Sequence, residues 1–389
     1  MSLLNYYLER RISPVHYLAS NLTEHLERRQ SLYDMLGLPG LLFRGKKVLE
    51  IAGGSGQNSL YVSAKKPSRY VIVEPNPVAL TQIEENYDEF AVPHTRPEVI
   101  PVTLENYATN ETFDVVICEG WLGSSAHERA LVGTIADRVA PGGIMVVTAL
   151  SICGWISNLI RYGLTQKLLV SHVEKNYDSQ VGVVLEAFSP HLQTISGMTR
   201  RHEDWVKDNL VNPTYLDQGL TLEMVLEETA TRGFTVFGAS PDFISEWRWF
   251  KQLHGDNLRT NENVLSCYER WSHNFLDYRR IFGERTAGLN QALNKQADQL
   301  LVALSASKSM EYRELGPAYF DGIVRILQDI RGNLSGLAGD FGAAVDEAVH
   351  LLTADGVTVA MIAGMKNYKP WFGRETLYFA LKRASVVSL

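Results

Sequence analysis

Three glutamates at the ends of short apolar runs are the first residues that could do chemistry. Glu50 and Glu74 flank a cluster of small residues, Ala52-Gly53-Gly54-Ser55-Gly56, and Glu119 begins Glu119-Gly120-Trp121 further on. Glycine tolerates the positive φ of tight turns and lets a ligand come close to the backbone. A carboxylate can accept two hydroxyl hydrogen bonds from a ribose or pair with an ammonium. Each acid alone reads as a solvated strand end; in register with the glycines they read as ligand contacts. Trp121 reads equally as a pocket wall or as a packed core residue. A second polar group lies at 199–213, "TRRHEDWVKDNLVNP", where His202 stands beside Glu203 and Asp204. Acids in a first helical turn are favoured by the dipole, which explains many such runs. A histidine beside carboxylates is also how a general base is oriented, so His202 and Asp204 are candidate catalytic residues, with Glu119 as a third. His127, in "SSAHERA", reads as a surface residue. Arg248, between Trp247 and Trp249, reads more simply as part of a hydrophobic seam than as an acid-binding site.

These side chains need a frame. Residues 1–45 have apolar positions three and four apart, the spacing of helices, and end at Pro39-Gly40. From 46 to 150, β-branched runs alternate with helical stretches: 47–53, 70–75, 98–104, 113–120 and 142–150. That alternation predicts a parallel sheet covered by helices on both faces. Residues 151–233 are helical or irregular, and one strand-like run comes next at 234–241. Residues 243–372 have helical spacing, and "ETLYFALKR" at 375–383 reads as a last strand. A helical insertion joining the last two strands is too long for a structureless loop.

The 389 residues carry 45% hydrophobic and 21% charged side chains, the composition of a packed protein. Net charge is −7 and no Lys/Arg run exceeds two, which argues against a nucleic-acid partner. No segment reaches the roughly 20 apolar residues of a membrane span. Cys118, Cys153 and Cys267 are scattered, which predicts a reducing, cytoplasmic setting and no metal site.

Two cofactors compete for "EIAGGSGQNS". A dinucleotide wants G-x-G-x-x-G/A with an acid on the next strand, which Gly54-x-Gly56-x-x-Ser59 and Glu74 approximate. S-adenosylmethionine wants a strand-end acid ahead of the glycines and another on the ribose, as Glu50 and Glu74 stand. The pattern resembles the class I methyltransferase family, whose first motif reads here as Glu50-Ile-Ala52-Gly-Gly54-Ser-Gly56. "YVIVEPNP", "FDVVICEGWLG" and "RVAPGGIMVVTAL" are similar to its later motifs, in the family's order. Ala52 departs from the family's first glycine, and "PVTLENY" lacks its usual adenine-side Asp.

The resemblance implies a doubly wound α/β fold with seven strands, mostly parallel, the last antiparallel. With the helical spacing elsewhere, the chain then reads as an N-terminal helical lid over 1–45, a Rossmann-like domain over 46–242 plus 373–389 with 151–233 as substrate cap, and a helical insertion over 243–372. The resemblance implies cofactor contacts at Glu50, Ala52, Gly53, Gly54, Gly56, Asn58, Glu74, Pro75, Asn76, Thr103, Leu104, Glu119 and Gly120. The function it implies is methyl transfer from S-adenosylmethionine to a small-molecule acceptor. The alternatives are an NAD-dependent oxidoreductase and a binding module without catalysis.

Overall fold

The computed structural model describes residues 2–13, 22–90, 95–172, 176–308 and 310–385. Runs such as Val48–Ile51 carry no polar alternation, so both of their faces need cover. They become β1 (Lys47–Ile51), β2 (Arg69–Val73), β3 (Glu98–Ile100), β4 (Phe113–Cys118) and β5 (Val139–Leu150), with β6 (Phe234–Ser240) and β7 (Thr376–Arg383) much later in the chain. The sheet order is β3-β2-β1-β4-β5-β7-β6. β1 to β5 pair in parallel, and β7 runs antiparallel to both β5 and β6. The expected doubly wound sheet with an antiparallel last strand is present.

On one face of this sheet Val48, Ile72, Val115, Ile117 and Val146 pack with Tyr33, Leu36, Phe43, Tyr61 and Ile83. Tyr33 belongs to the Leu22–Met35 helix, and its ring stacks on Tyr61 at 5.1 Å between centroids. The N-terminal helix is thereby fixed to the core that holds β1, which in turn positions Arg29.

Two strands differ in length from their sequence runs. β3 stops at Ile100 because Pro101 has no N–H for a further ladder bond. β5 starts at Val139, before the glycines, through a register shift opposite Phe113 and Val115.

The chain divides into two compact units. The first is Met1–Leu150, Asp217–Tyr268 and Thr376–Leu389; the second is Ser151–Leu216 and Glu269–Glu375. The expected boundaries need correction here. Residues 151–216 cluster with the late helices rather than with the sheet, and 243–268 stay with the sheet. The physical reason is the Ile152–Ser171 helix, which is buried nearly all round and so needs helices on every side. Within its unit, Gln166 donates to Ser307 Oγ at 2.5 Å and accepts from the Tyr319 hydroxyl at 2.7 Å. The buried Arg161 guanidinium stacks over Phe372 at 3.5 Å and donates to the Lys369 carbonyl at 3.1 Å. Among the described residues no strand lies between β6 and β7, and no helix is long and apolar enough to cross a membrane.

Candidate active site

The strand order reverses between β1 and β4, and in such sheets ligands bind beyond the carboxyl ends of the strands at that point. Ile51 pairs with Cys118 as the two strands end side by side. The glycine turn after β1 and Glu119-Gly120 after β4 therefore face the same crevice.

The turn is held by its backbone. Ala52, Gly54 and Gly56 have φ of 58°, 56° and 76°, and the Ala52 N–H donates to the Val73 carbonyl at 2.8 Å. An alanine in this left-handed region costs roughly 1–2 kcal/mol, which the family's glycine at that position would avoid. A Cβ on Gly56 would lie 2.9 Å from Ile83 Cγ1, so this glycine serves the close approach of the Pro77–Glu89 helix.

Glu74 closes over the turn. Its Oε2 accepts the Gly54 N–H at 3.0 Å and its Oε1 the Asn76 N–H at 2.9 Å. Burial pushes its pKa up to about 6 against these two bonds. Asn76 caps the Pro77–Glu89 helix by accepting from Val78 N–H at 3.1 Å, and donates from Nδ2 to the Ile12 carbonyl at 3.0 Å. Glu50 is also buried, and burial raises its pKa although the Tyr70 hydroxyl donates to its carboxylate.

At the β4 exit, Gly120 N–H donates to Thr148 Oγ1 at 2.8 Å, and Trp121 Nε1 donates to Cys118 Sγ at 2.9 Å. Glu119 does not stand alone. Arg29 Nη2 donates to both its oxygens, at 2.8 and 2.9 Å, and the Tyr33 hydroxyl donates to Oε1 at 3.2 Å. His127, on the Ala126–Asp137 helix, lies with Nε2 3.0 Å from Glu105 Oε1.

These groups enclose a cavity of about 250 Å³ within the first unit. Its wall brings together Glu50, Ala52, Gly53, Gly54, Asn58, Glu74, Pro75, Asn76, Thr103, Leu104, Glu119 and Gly120, all named from the sequence. Gly56 stands behind the wall. Trp121 and the exposed His127 also line it, as do Ser2, Leu3, Leu4, Tyr7 and Ser13 from the N-terminal segment. His202 and Asp204 are elsewhere: they open the His202–Asn209 helix of the second unit and are not part of this wall. Burial lowers the His202 pKa. Arg248 bonds the Glu246 carboxylate at the surface, and its neighbour Trp247 is 94% exposed. That segment is therefore not the seam the sequence suggested. The sequence reading missed Arg29 and Tyr33, which lie 90 and 86 positions from Glu119 and carry no motif.

The wall holds five glutamates, Glu50, Glu74, Glu105, Glu119 and Glu128, and among the described residues no lysine or arginine. Such a wall suits a cationic ligand and repels a pyrophosphate. The Gly54 N–H, which a pyrophosphate would need, is already held by a carboxylate. No group of three or more metal-ligating side chains occurs among the described residues.

Residues 22–167 match the family described as a methyltransferase domain. Comparison with the curated proteins gives no match. Among solved structures, the chain is similar to the N-methyltransferase NodS from Bradyrhizobium japonicum WM9 in complex with S-adenosyl-l-homocysteine, at 19% identity over 38% of this chain and 74% of that one, TM-score 0.28. In another NodS structure it spans 66% of that chain's length. It is similar to magnesium protoporphyrin IX methyltransferase (ChlM) from Synechocystis PCC 6803, with bound SAM, at 12% identity over 38% and 74%, TM-score 0.30. A third similarity is to the cyclase SpnF, at 11% identity over 92% and 81%, TM-score 0.37. The matched residues 22–167 contain β1 to β5, the glycine turn, Glu50, Glu74 and Glu119. They form a methyltransferase domain within the chain.

Proposed function

We propose that this chain transfers the methyl group of S-adenosylmethionine to a small-molecule acceptor. The observation that carries the reading is the Glu74 carboxylate seated on the Gly54 N–H in a wall of glutamates. When bound, S-adenosylmethionine supplies an electrophilic methyl on a sulfonium, which is already a good leaving group. The protein's part is then mainly alignment. In this reading Glu74 takes the ribose hydroxyls, with Asn76, Thr103 and Leu104 beside the base. Gly53 and Gly54 give the backbone close approach, Glu119 takes the ammonium, and Trp121 walls the acceptor side.

The small acceptor is favoured by charge: a wall without lysine or arginine and a chain of net charge −7 offer no seat for a polyphosphate backbone. A hydroxyl acceptor also needs a base. We propose His202, with Asp204 two residues on in the first turn of its helix, as that base on the strength of its sequence setting. Isothermal calorimetry tests the donor reading. S-adenosylmethionine or S-adenosylhomocysteine should bind and NAD should give no heat; NAD binding without either sulfur ligand would overturn it.

A further inference from the structure

The segment after β6 leaves its largest apolar side chains in solvent. Trp247 is 94% exposed, Phe250 71% and Trp249 59%, and Leu258 stands out beside them. One such residue alone would need no explanation; a contiguous group does. The group is contiguous because Arg248 Nη1 donates to the Asn257 carbonyl at 2.8 Å, which brings 247–250 against 257–258. Trp249 and Phe250 meet edge to face at 6.1 Å, and Lys251 Nζ lies 4.7 Å from the Trp249 ring centre. None of these residues lines the cavity of the candidate active site.

The neighbouring sheet edge is closed. β6 is the outermost strand, and its backbone from Phe234 to Phe237 is met by the chain that follows. Asn261 accepts the Val236 N–H at 3.0 Å and donates to the Phe234 carbonyl at 2.9 Å. Arg259 donates to the Val236 and Phe237 carbonyls, at 3.3 and 3.0 Å. A partner strand finds no free ladder along that stretch, so an occupant has to be held by side chains.

Area and charge point to one occupant. At about 200 Å² for a fully exposed aromatic side chain, the three rings leave roughly 450 Å² open. A standard interface takes about 800 Å² from each partner, a little over half of it apolar. The open aromatic area thus matches the apolar share of one side of such an interface. Residues 245–258 carry two acids, Glu246 and Asp256, and two bases, Arg248 and Lys251. Glu246 and Arg248 neutralise each other, Nε to Oε1 at 2.8 Å and Nη2 to Oε2 at 2.6 Å. A segment without net charge gives an anionic surface nothing to hold. It also lets two chains of net charge −7 meet without repulsion at the contact. A twofold pair needs this, because each patch then faces its own kind. Tryptophan and arginine side by side supply both halves of a cation–π contact across such a pair.

We propose that residues 245–258 form the surface through which two copies of this chain pair about a twofold axis, with Trp247 and Phe250 at its centre. Sedimentation velocity on the full chain, from about 1 to 100 μM, brackets micromolar affinities. The wild-type chain should run as two copies at the upper end of this range. No larger species should form, since a contact of like patches closes at two. Trp247→Ser combined with Phe250→Ser should weaken the pair by at least about 30-fold, the factor of one tryptophan hot spot. Its circular dichroism should match wild type, because both side chains are exposed. If that variant does not fold, Trp247→Glu carries the test by setting two like charges across the axis. It should weaken the pair at low salt, and added salt should restore part of it. A wild-type chain that stays a single copy at about 100 μM would overturn the proposal. So would a pair that these variants leave equally tight, since the contact would then lie on another face. If no pair forms and the wild type floats with phosphatidylcholine vesicles while the double variant does not, the surface belongs to lipid and the proposal is overturned as well.

Discussion

Glu74→Gln is the sharpest test of the donor site, because one carboxylate makes two opposite pH predictions. In the structure Glu74 is 5% exposed, accepts two backbone N–H groups, and has a pKa raised by burial from 4.5 to about 6. A raised folded pKa means the native state holds the proton more tightly than the unfolded chain. Glu74 therefore contributes stability that is complete below pH 4.5 and is lost as pH rises through 6. The difference of 1.5 units is about 2 kcal/mol. Donor binding runs the other way, since the ribose hydroxyls need the ionised carboxylate. Affinity for S-adenosylhomocysteine should be full near pH 8 and fall by up to about tenfold per unit below pH 6. Glutamine keeps one carbonyl for the turn but loses the charge, so its affinity at pH 8 should drop by about 1.5–3 kcal/mol, roughly 10–150-fold. Its affinity should also no longer depend on pH in this window. Calorimetry at pH 5, 6, 7 and 8 reads the binding, and denaturant melts at the same pH values read the stability. A wild-type affinity flat from pH 5 to 8, or a Glu74→Gln affinity within twofold of wild type, would refute the assignment of Glu74 to the ribose.

Three further predictions bear on other parts of the molecule. Gly56→Ala should destabilise the first unit by about 1–3 kcal/mol, from positive φ and overpacking against Ile83, read as a lower denaturant midpoint. In the second unit the partly buried Glu375 accepts from Asn158 Nδ2 at 2.7 Å, and burial raises its pKa to about 7. Its stabilising effect is complete below pH 4.5 and lost as pH rises through 7, by about 3 kcal/mol, and Glu375→Gln should flatten that slope in pH-dependent melts. His202→Ala should lower turnover by about 10²–10⁴-fold on a hydroxyl acceptor found by screening with labelled methyl donor, leaving S-adenosylhomocysteine affinity unchanged. A loss below threefold would move the proton to His127 and Glu105, which line the cavity.

The features legible in the sequence are those the backbone itself demands. β1, β2 and β4 were legible because strands covered on both faces are apolar without interruption, and their ends carry the acids. The glycine turn was legible because positive φ restricts residue type, and even the exception obeys it: Ala52, a small residue, takes the left-handed position. Helices gave their faces but not their partners. The pattern of 152–171 states that the helix is buried, yet nothing in it names Ser307, Tyr319 or Lys369 as what buries it. The placement of 151–216 with the late helices was lost for that reason. The pairing of Arg29 with Glu119 was lost for a different one. An ion pair leaves no periodicity, and one of two adjacent arginines in "EHLERRQSLYD" looks like any solvated helix charge. Tyr33 is the clue that was present but silent. It lies one helical turn from Arg29, packs its ring against Tyr61 in the core, and sends its hydroxyl to Glu119. A tyrosine that is apolar on its body and polar at its tip must find a partner for the tip when buried. The core packing of its ring carries the helix, and with it the guanidinium, to the strand end that bears Glu119.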